Sequence, residues 1–167
     1  MTLADGAEVE IRALERGDRA ALAAAVPRLS ERSRYLRFAS AKPRLSERAL
    51  DTLTVLDRHS SDAVVAADPM TGDIVGVGRF AALPDKVGAV DVAVTVGDRW
   101  QGRGLGAALL ARLIERARDE RHLALQATVL AENAASIAML RRAGFASRSS
   151  AGAMREFELA STGRGNP

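Results

Sequence analysis

Gly102, Gly104 and Gly106 stand at alternate positions between a β-branched apolar run and a helical pattern. The run covers residues 92–96 and predicts a buried strand, and apolar residues recur at helical spacing over 109–117. The first amides of a helix lack intrahelical partners and lie at the positive end of its dipole. Because glycine allows close backbone approach and a positive φ, the pattern predicts a loop that binds a phosphorylated ligand. A glycine-rich turn without a ligand is the alternative.

The loop fits two nucleotide-binding fingerprints. Residues 102–107 read Gly-x-Gly-x-x-Ala, as in dinucleotide-binding folds, with Glu132 as an acidic residue at the end of the next strand pattern. That fold places its glycines almost directly after the strand, whereas residues 97–101 intervene here. Only about sixty residues follow the loop, too few for the two halves that a dinucleotide fold needs. A dinucleotide-dependent enzyme is therefore the last of the alternatives.

The second fingerprint is Gln-x-x-Gly-x-Gly at 101–106, five residues after Val96. It resembles the acyl-coenzyme A pyrophosphate loop of the GNAT superfamily of N-acetyltransferases, which has Gln or Arg, two residues, Gly, one residue, then Gly or Ala. Asn133, followed by the Gly-Phe pair at 144–145, is similar to the second coenzyme A segment of that superfamily. The resemblance implies acetyl-CoA as cofactor. The residues it implies for cofactor binding are Val94, Thr95, Val96, Gln101, Gly102, Arg103, Gly104, Leu105, Gly106, Ala107, Asn133 and Ser136.

A narrower resemblance rests on two further segments. Residues 30–38 read S-E-R-S-R-Y-L-R-F, and residues 98–106 read D-R-W-Q-G-R-G-L-G. Both are similar to the acetyltransferase domain of bacterial Pat-type protein-lysine acetyltransferases. The resemblance implies transfer of an acetyl group to a primary amine, with a protein lysine as the leading acceptor. The backbone amides of Val94 and Val96 are expected to hold the pantetheine and to polarise the thioester carbonyl.

Asp91 is the candidate general base. An amine with a pKa near 10.4 is neutral in only about one molecule in 2,500 at pH 7, which costs roughly 4.6 kcal/mol. A group that accepts the proton, directly or through water, is therefore needed. Asp91 lies five residues before Val96, where Pat-type domains have a glutamate. A solvent-facing carboxylate at a strand end is the alternative role for Asp91, and Glu132 is a weaker rival base.

Many members of the superfamily have a tyrosine four residues before the Gly-Phe pair, as general acid for the thiolate. This chain has Leu140 at that position, and its one tyrosine is Tyr35. A thiol with a pKa near 8.5 leaves without full proton transfer, so the absence is compatible with turnover. Tyr35 is expected to pack or to line the acceptor groove, and Trp100 to anchor the loop by packing.

Composition narrows the function classes. The chain has 167 residues, no cysteine and two histidines, which excludes a disulfide framework and leaves too few ligands for a metal site. Its net charge is +3 and its pI about 10.1, but the arginines alternate with acidic residues and only 4% of residues are aromatic, which argues against nucleic-acid binding. No apolar run reaches membrane-span length and no signal region precedes the first element, so we expect a cytoplasmic protein without membrane partners.

The pattern of elements predicts an α/β (α+β) GNAT fold, with a mixed, mostly antiparallel sheet of about six to seven strands flanked by about four helices. Residues 1–160 are expected to form one acetyltransferase domain, and residues 161–167 a flexible tail. Asp18, Ser46 and Asn133 are the predicted helix N-caps. The predicted strands are 9–13, 63–67, 74–82, 89–96, 123–130, 145–149 and 154–159, and the predicted helices cover 18–26, 30–38, 46–56, the segment after the glycine loop to 118, and 134–143.

Three functions remain open at this point. The first is an acetyl-CoA-dependent transferase acting on a protein lysine, and the second is a transferase acting on a small-molecule amine. The third is an acyl-CoA-binding regulatory module without catalysis. The arginines at 32, 34 and 37 argue mildly against a cationic small acceptor, although they also fit a solvated helix face. The final hairpin is a candidate homodimer edge by analogy alone.

Overall fold

The computed structural model describes residues 1–38 and 45–160, so the predicted tail at 161–167 lies outside the described residues. Within them, seven strands form one sheet in the order β1-β2-β3-β4-β5-β7-β6, and the α-helices number five. The strands are β1 Glu10–Ala13, β2 Ser61–Ala67, β3 Ile74–Ala82, β4 Ala89–Val96, β5 Ala124–Leu130, β6 Ala146–Ala151 and β7 Met154–Ala160. The helices are α1 Arg19–Ala25, α2 Glu31–Phe38, α3 Glu47–Thr54, α4 Leu105–Asp119 and α5 Ala134–Arg142.

This architecture confirms the predicted fold class. Every neighbouring strand pair is antiparallel except β4 and β5, which are parallel. None of the helices in the described ranges has the length and apolar character needed to cross a membrane.

The central feature of the sheet is the divergence of β4 and β5. The two strands pair only from Ala89 to Asp91, opposite residues 124–126, although both strands continue well beyond that point. They therefore separate after Asp91 and leave a V-shaped cleft between them. The amide of Gly97 donates to the carbonyl of Val75, on the β3 side of β4. Successive amides of a strand point to alternate sides, so the amides of Val94 and Val96 point the other way, into the cleft.

One face of the sheet is covered by α4, whose side chains Leu105, Leu109 and Leu113 are buried against β3. Two glycines of β3 permit this close packing. A Cβ atom on Gly76 would lie 2.9 Å from Leu109 Cδ1, and one on Gly78 would lie 3.0 Å from Leu113 Cδ1. The glycines of β3 thus set the depth at which α4 lies, and with it the position of the loop that precedes the helix.

The other face is covered by α1 and α3, around a second core that includes Leu22, Leu50 and Val65. The Ser46 cap of α3 is confirmed, since its hydroxyl accepts from the amide of Ala49. Asp18 is the N-cap residue of α1, as predicted, but its side chain makes no capping hydrogen bond. The Asp18 side chain instead binds the guanidinium of Arg12 in two bonds of 2.7 Å, which ties β1 to the turn before α1 and lowers the pKa of that carboxyl.

A buried ion cluster joins β2 to α4. The Asp62 carboxylate is 1% exposed and binds Arg58 at 2.8 Å and Arg116 through its Nε. Arg58 also donates to the carbonyl of Leu14 at 2.6 Å. Only the carboxylate is buried, because the Arg58 and Arg116 side chains are 40% and 30% exposed. Its removal therefore breaks at least two charge-assisted hydrogen bonds but leaves both cations able to reach water.

We therefore expect Asp62→Ala to lower the free energy of unfolding by about 2 kcal/mol through the lost hydrogen bonds, measured by urea denaturation. The matched control is Glu115→Ala, which removes the exposed pair with Arg112 and should change the free energy by less than about 0.5 kcal/mol. Equal effects of the two variants would contradict a structural role for the Asp62 cluster.

Candidate active site

The predicted loop follows β4 as a short 3₁₀ turn, Asp98–Trp100, and then leads into α4. Gly104 is the N-cap of α4 and has a φ of +89°, and Gly102 has a φ of +73°. A Cβ at either position would have no atom of the described residues within 4 Å, so open space lies above the backbone there. The free amides at the start of α4, at 105–107, lie beside this space.

Gly106 has a different role from the other two glycines. Its φ is negative, and a Cβ there would lie 3.2 Å from Met139 Sδ on α5. Gly106 therefore allows α4 and α5 to pack closely, whereas Gly102 and Gly104 give the loop its backbone shape. Arg103 directs its side chain away from the loop, to Asp5 at 2.8 Å and over the ring of Trp100 at 5.5 Å. The packing role predicted for Trp100 is confirmed.

The loop is attached to α2 by a polar network that sequence reasoning missed. The Asp98 carboxylate accepts from the Ser30 amide at 2.8 Å, the Ser30 hydroxyl at 2.6 Å and the Ser33 hydroxyl at 2.7 Å. Burial raises the pKa of Asp98, but these hydrogen bonds outweigh it and leave the pKa below its usual value. Gln101 donates to Ser33 at 3.2 Å and to the carbonyl of Val96 at 3.0 Å. The network joins the N-terminus of α2 to the β4 side of the cleft.

The β5 side of the cleft is also in contact with α2. Arg32 binds Glu132 at 2.9 Å just after β5, so Glu132 is an exposed, ion-paired residue. Asn133 caps α5 by accepting from the amide of Ser136 at 3.1 Å, as predicted. The segment 30–38 therefore contacts residues that follow the C-terminal ends of both diverging strands.

Asp91 lies at the apex of the cleft, where the pairing between β4 and β5 ends. Its side chain is half-buried, on the sheet face that it shares with Thr95 and Arg79. Burial raises the pKa of the Asp91 carboxyl, and the nearby charges of Arg37 and Arg79 lower it by less, so the net shift is upward. Asp91, the cleft-facing amides of β4 and the glycine loop therefore follow one another along the chain from the apex of the cleft to its open end.

Two positions discussed for proton transfer lie elsewhere. Leu140 is 3% exposed and belongs to the core, and Tyr35 is 39% exposed on α2. His122 is buried and stacks on His59 with ring centroids 5.5 Å apart, and it bonds the carbonyl of His59 through Nε2 at 2.8 Å. The described residues bring together no group of three or more side chains that could hold a metal ion.

The arginines of α2 have three different environments. Arg32 is in the exposed pair with Glu132, and Arg34 donates to the carbonyl of Leu29 at 2.8 Å. Arg37 is half-buried and lines a cavity of about 780 Å³ between α1–α3 and the sheet. The alternative of one solvated helix face therefore does not hold for Arg37, which lies in the cavity wall together with Arg79 of β3.

The chain is similar in sequence to known proteins. A sequence model of the acetyltransferase (GNAT) family matches residues 26–145. Acetyltransferase PA5475 of Pseudomonas aeruginosa is 37% identical over 119 residues, which cover 70% of this chain and 63% of that protein. The L-methionine sulfoximine/L-methionine sulfone acetyltransferase of the same species is 36% identical over 85 residues, which cover 49% of each. The chain thus spans between half and two thirds of the length of these curated relatives.

Among solved structures, the GNAT domain of Streptomyces lividans PAT superposes with a TM-score of 0.88 and 25% identity. The match covers 96% of this chain and 94% of that domain.

Proposed function

The chain belongs to the GNAT acetyltransferase family, whose cofactor is acetyl-CoA, and we propose that it transfers the acetyl group to the nitrogen of a primary amine. One observation carries this proposal. The cleft between β4 and β5 has the glycine loop at its open end and Asp91 at its apex.

The cleft fits acetyl-CoA. The amides of Leu105, Gly106 and Ala107 and the open backbone at Gly102 and Gly104 would hold the pyrophosphate. The amides of Val94 and Val96 would hold the pantetheine and polarise the thioester carbonyl. Thr95 and Gln101 shape the β4 wall, while Asn133 and Ser136 form the start of α5 as the second segment. Arg103 would contribute through its backbone, because its side chain is bound to Asp5.

When bound, acetyl-CoA supplies an activated acyl thioester. Asp91 takes the proton from the acceptor nitrogen, directly or through one water, as the new C–N bond forms and the C–S bond breaks. The leaving thiolate takes its proton from solvent, since Leu140 offers none and a thiol pKa near 8.5 makes it a tolerable leaving group. Burial raises the pKa of Asp91, which strengthens it as a base.

Two acceptor classes have support. A protein lysine is favoured by the Pat-type segments and by the similarity to the GNAT domain of Streptomyces lividans PAT. A small-molecule amine is favoured by the relative named for L-methionine sulfoximine and L-methionine sulfone, and by the cavity of about 780 Å³ beside the cleft.

In this proposal residues 1–160 act as one domain, and a homodimer would pair along the edge strand β6.

The test combines calorimetry with a product assay. We expect acetyl-CoA to bind and NAD not to bind, and we expect thiol release and an N-acetyl product with at least one of two panels. One panel consists of lysine-containing proteins and peptides, and the other of small primary amines. Failure of acetyl-CoA to bind would contradict the proposal, and binding without product on either panel would indicate a non-catalytic acyl-CoA module.

A further inference from the structure

The cavity beside the cleft is large enough for a small organic acceptor. Its volume of about 780 Å³ lies in the range of ligand pockets, roughly 300 to 1,000 Å³. Its wall includes Ala93 and Thr95 of β4, on the face that also carries Asp91. The cavity therefore adjoins the strand that holds the proposed base, on the opposite side of the sheet from α4.

Most charged side chains of this wall already have partners. Arg28 binds Asp73 at 2.6 Å, and Arg103 binds Asp5 at 2.8 Å. Asp98 accepts from the serines of α2. Arg99 is exposed on the turn that follows β4.

Arg37 and Arg79 differ from these residues. Within residues 1–38 and 45–160, no carboxylate oxygen lies within 4.0 Å of either guanidinium group. Both side chains are half-buried and both line the cavity. A guanidinium has five donors in a planar fork, which matches the geometry of a carboxylate.

The two arginines come from separate elements and approach the same place. Arg79 stands opposite Ala93 in the β3–β4 register, and Arg37 is in the last turn of α2 with its guanidinium 5.2 Å from the Phe38 ring centre. Burial lowers the pKa of both guanidinium groups, and the charge of Arg79 lowers the pKa of Arg37 further. The negative charge of Asp91 raises both pKa values, but by less. Two half-buried cations beside one carboxylate leave net positive charge in the wall, which favours an anionic group from the ligand.

We propose that Arg37 and Arg79 form a carboxylate-binding subsite, so that the acceptor is a small amine that also carries a carboxylate, as an amino acid does. This inference rests on the proposed acetyl transfer. The two guanidinium groups would hold the carboxylate by paired hydrogen bonds and leave the amine beside Asp91. A lysine side chain in a protein has a single cation at its tip and no anion fixed near it, so it leaves this subsite without a partner.

The experiment measures kcat/KM for matched acceptor pairs in the presence of acetyl-CoA. L-Leucine, L-glutamate, L-phenylalanine and β-alanine are each compared with the corresponding primary carboxamide, in which the carboxylate charge is removed. A lysine-containing peptide completes the set. We expect at least one free acid to be acetylated, and its kcat/KM to exceed that of its carboxamide by at least roughly 100-fold, because a site built for a polar group rejects an analogue that lacks it.

Variants then assign the preference to the two arginines. We expect Arg79→Gln and Arg37→Gln to lower kcat/KM for the free acid by roughly 30-fold or more, and by a much smaller factor for its carboxamide, which feels only the changed charge near Asp91. The affinity for acetyl-CoA should stay at the wild-type value, which also shows that the variants are folded. Arg79→Lys keeps the positive charge without the planar guanidinium fork, so its kcat/KM for the free acid should lie between the values of the wild type and of Arg79→Gln. Arg112→Gln, an exposed arginine of α4, is the matched control and should match the wild type.

The outcomes separate the inference from the proposed function. Equal rates for acids and carboxamides would overturn the carboxylate subsite alone, as would acetylation of the lysine peptide but of no amino acid. A loss in the arginine variants that is the same for acids and carboxamides would overturn it as well. Failure to bind acetyl-CoA would overturn both, since no acetyl transfer would then remain to be explained.

Discussion

Asp91→Asn is expected to lower kcat by roughly 100- to 10,000-fold, the range typical of a lost general base. Asparagine has the same size but cannot accept the proton at neutral pH. The affinity for acetyl-CoA should not change, because Asp91 lies at the apex of the cleft and away from the glycine loop. The measurement is thiol release with an acceptor that the wild-type protein acetylates, together with calorimetry of the variant.

The pH profile distinguishes a base from a structural carboxylate. As a base, Asp91 must be ionised, so activity should fall as the pH drops through its pKa, which burial raises above the usual value. The deficit of Asp91→Asn should shrink at high pH, where the acceptor amine loses its proton without help. A deficit that is the same at every pH would instead indicate that Asp91 acts only through its charge near Arg37 and Arg79.

Two further variants complete this test. Asp85→Asn, in the exposed turn between β3 and β4, removes a carboxylate away from the cleft and should have wild-type activity. Asp91→Glu keeps the carboxylate on a side chain that is one methylene longer and should keep much of the activity. Full activity in Asp91→Asn would contradict the proposed base.

The sequence was sufficient wherever local patterns determine the structure. The strand Ala89–Val96 was predicted with its bounds, and the caps Ser46 and Asn133 were predicted with their roles. Asp18 makes no capping hydrogen bond because the guanidinium of Arg12, on a neighbouring strand, competes for the same carboxylate. Local propensity does not include a partner of this kind, which only the fold brings close.

In the candidate site, too, relations along the chain were predictable from the sequence, whereas contacts between distant residues were not. Asp91 and the glycine loop belong to one contiguous segment, so their relation followed from spacing along the chain. The contacts of Asp98 with Ser30 and Ser33 join residues 68 and 65 positions apart. The cavity position of Arg37 depends on the rotation of α2 against the sheet. Neither of these follows from periodicity, because a short helix with charged residues on several faces has no single preferred side.

Gly104→Glu is expected to raise the Kd for acetyl-CoA by at least roughly 100-fold, which corresponds to the loss of one or two charge-assisted hydrogen bonds. The φ of +89° at Gly104 disfavours any side chain by about 1 to 2 kcal/mol. The new carboxylate would also enter the open space at the start of α4, where the proposed pyrophosphate binds. Calorimetry with acetyl-CoA measures the change.

Two controls separate charge from backbone strain. Gly104→Ala adds the strain without the charge, so its effect on the Kd should be smaller. Gly152→Glu places the same carboxylate at a φ of +55° in the turn between β6 and β7, which is not part of the glycine loop, and should bind acetyl-CoA much more tightly than Gly104→Glu. If Gly104→Glu is folded and binds acetyl-CoA with unchanged affinity, the loop before α4 is not the phosphate site. Since the cleft-facing amides and Asp91 are interpreted relative to that loop, the proposed orientation of the thioester would then be wrong as well.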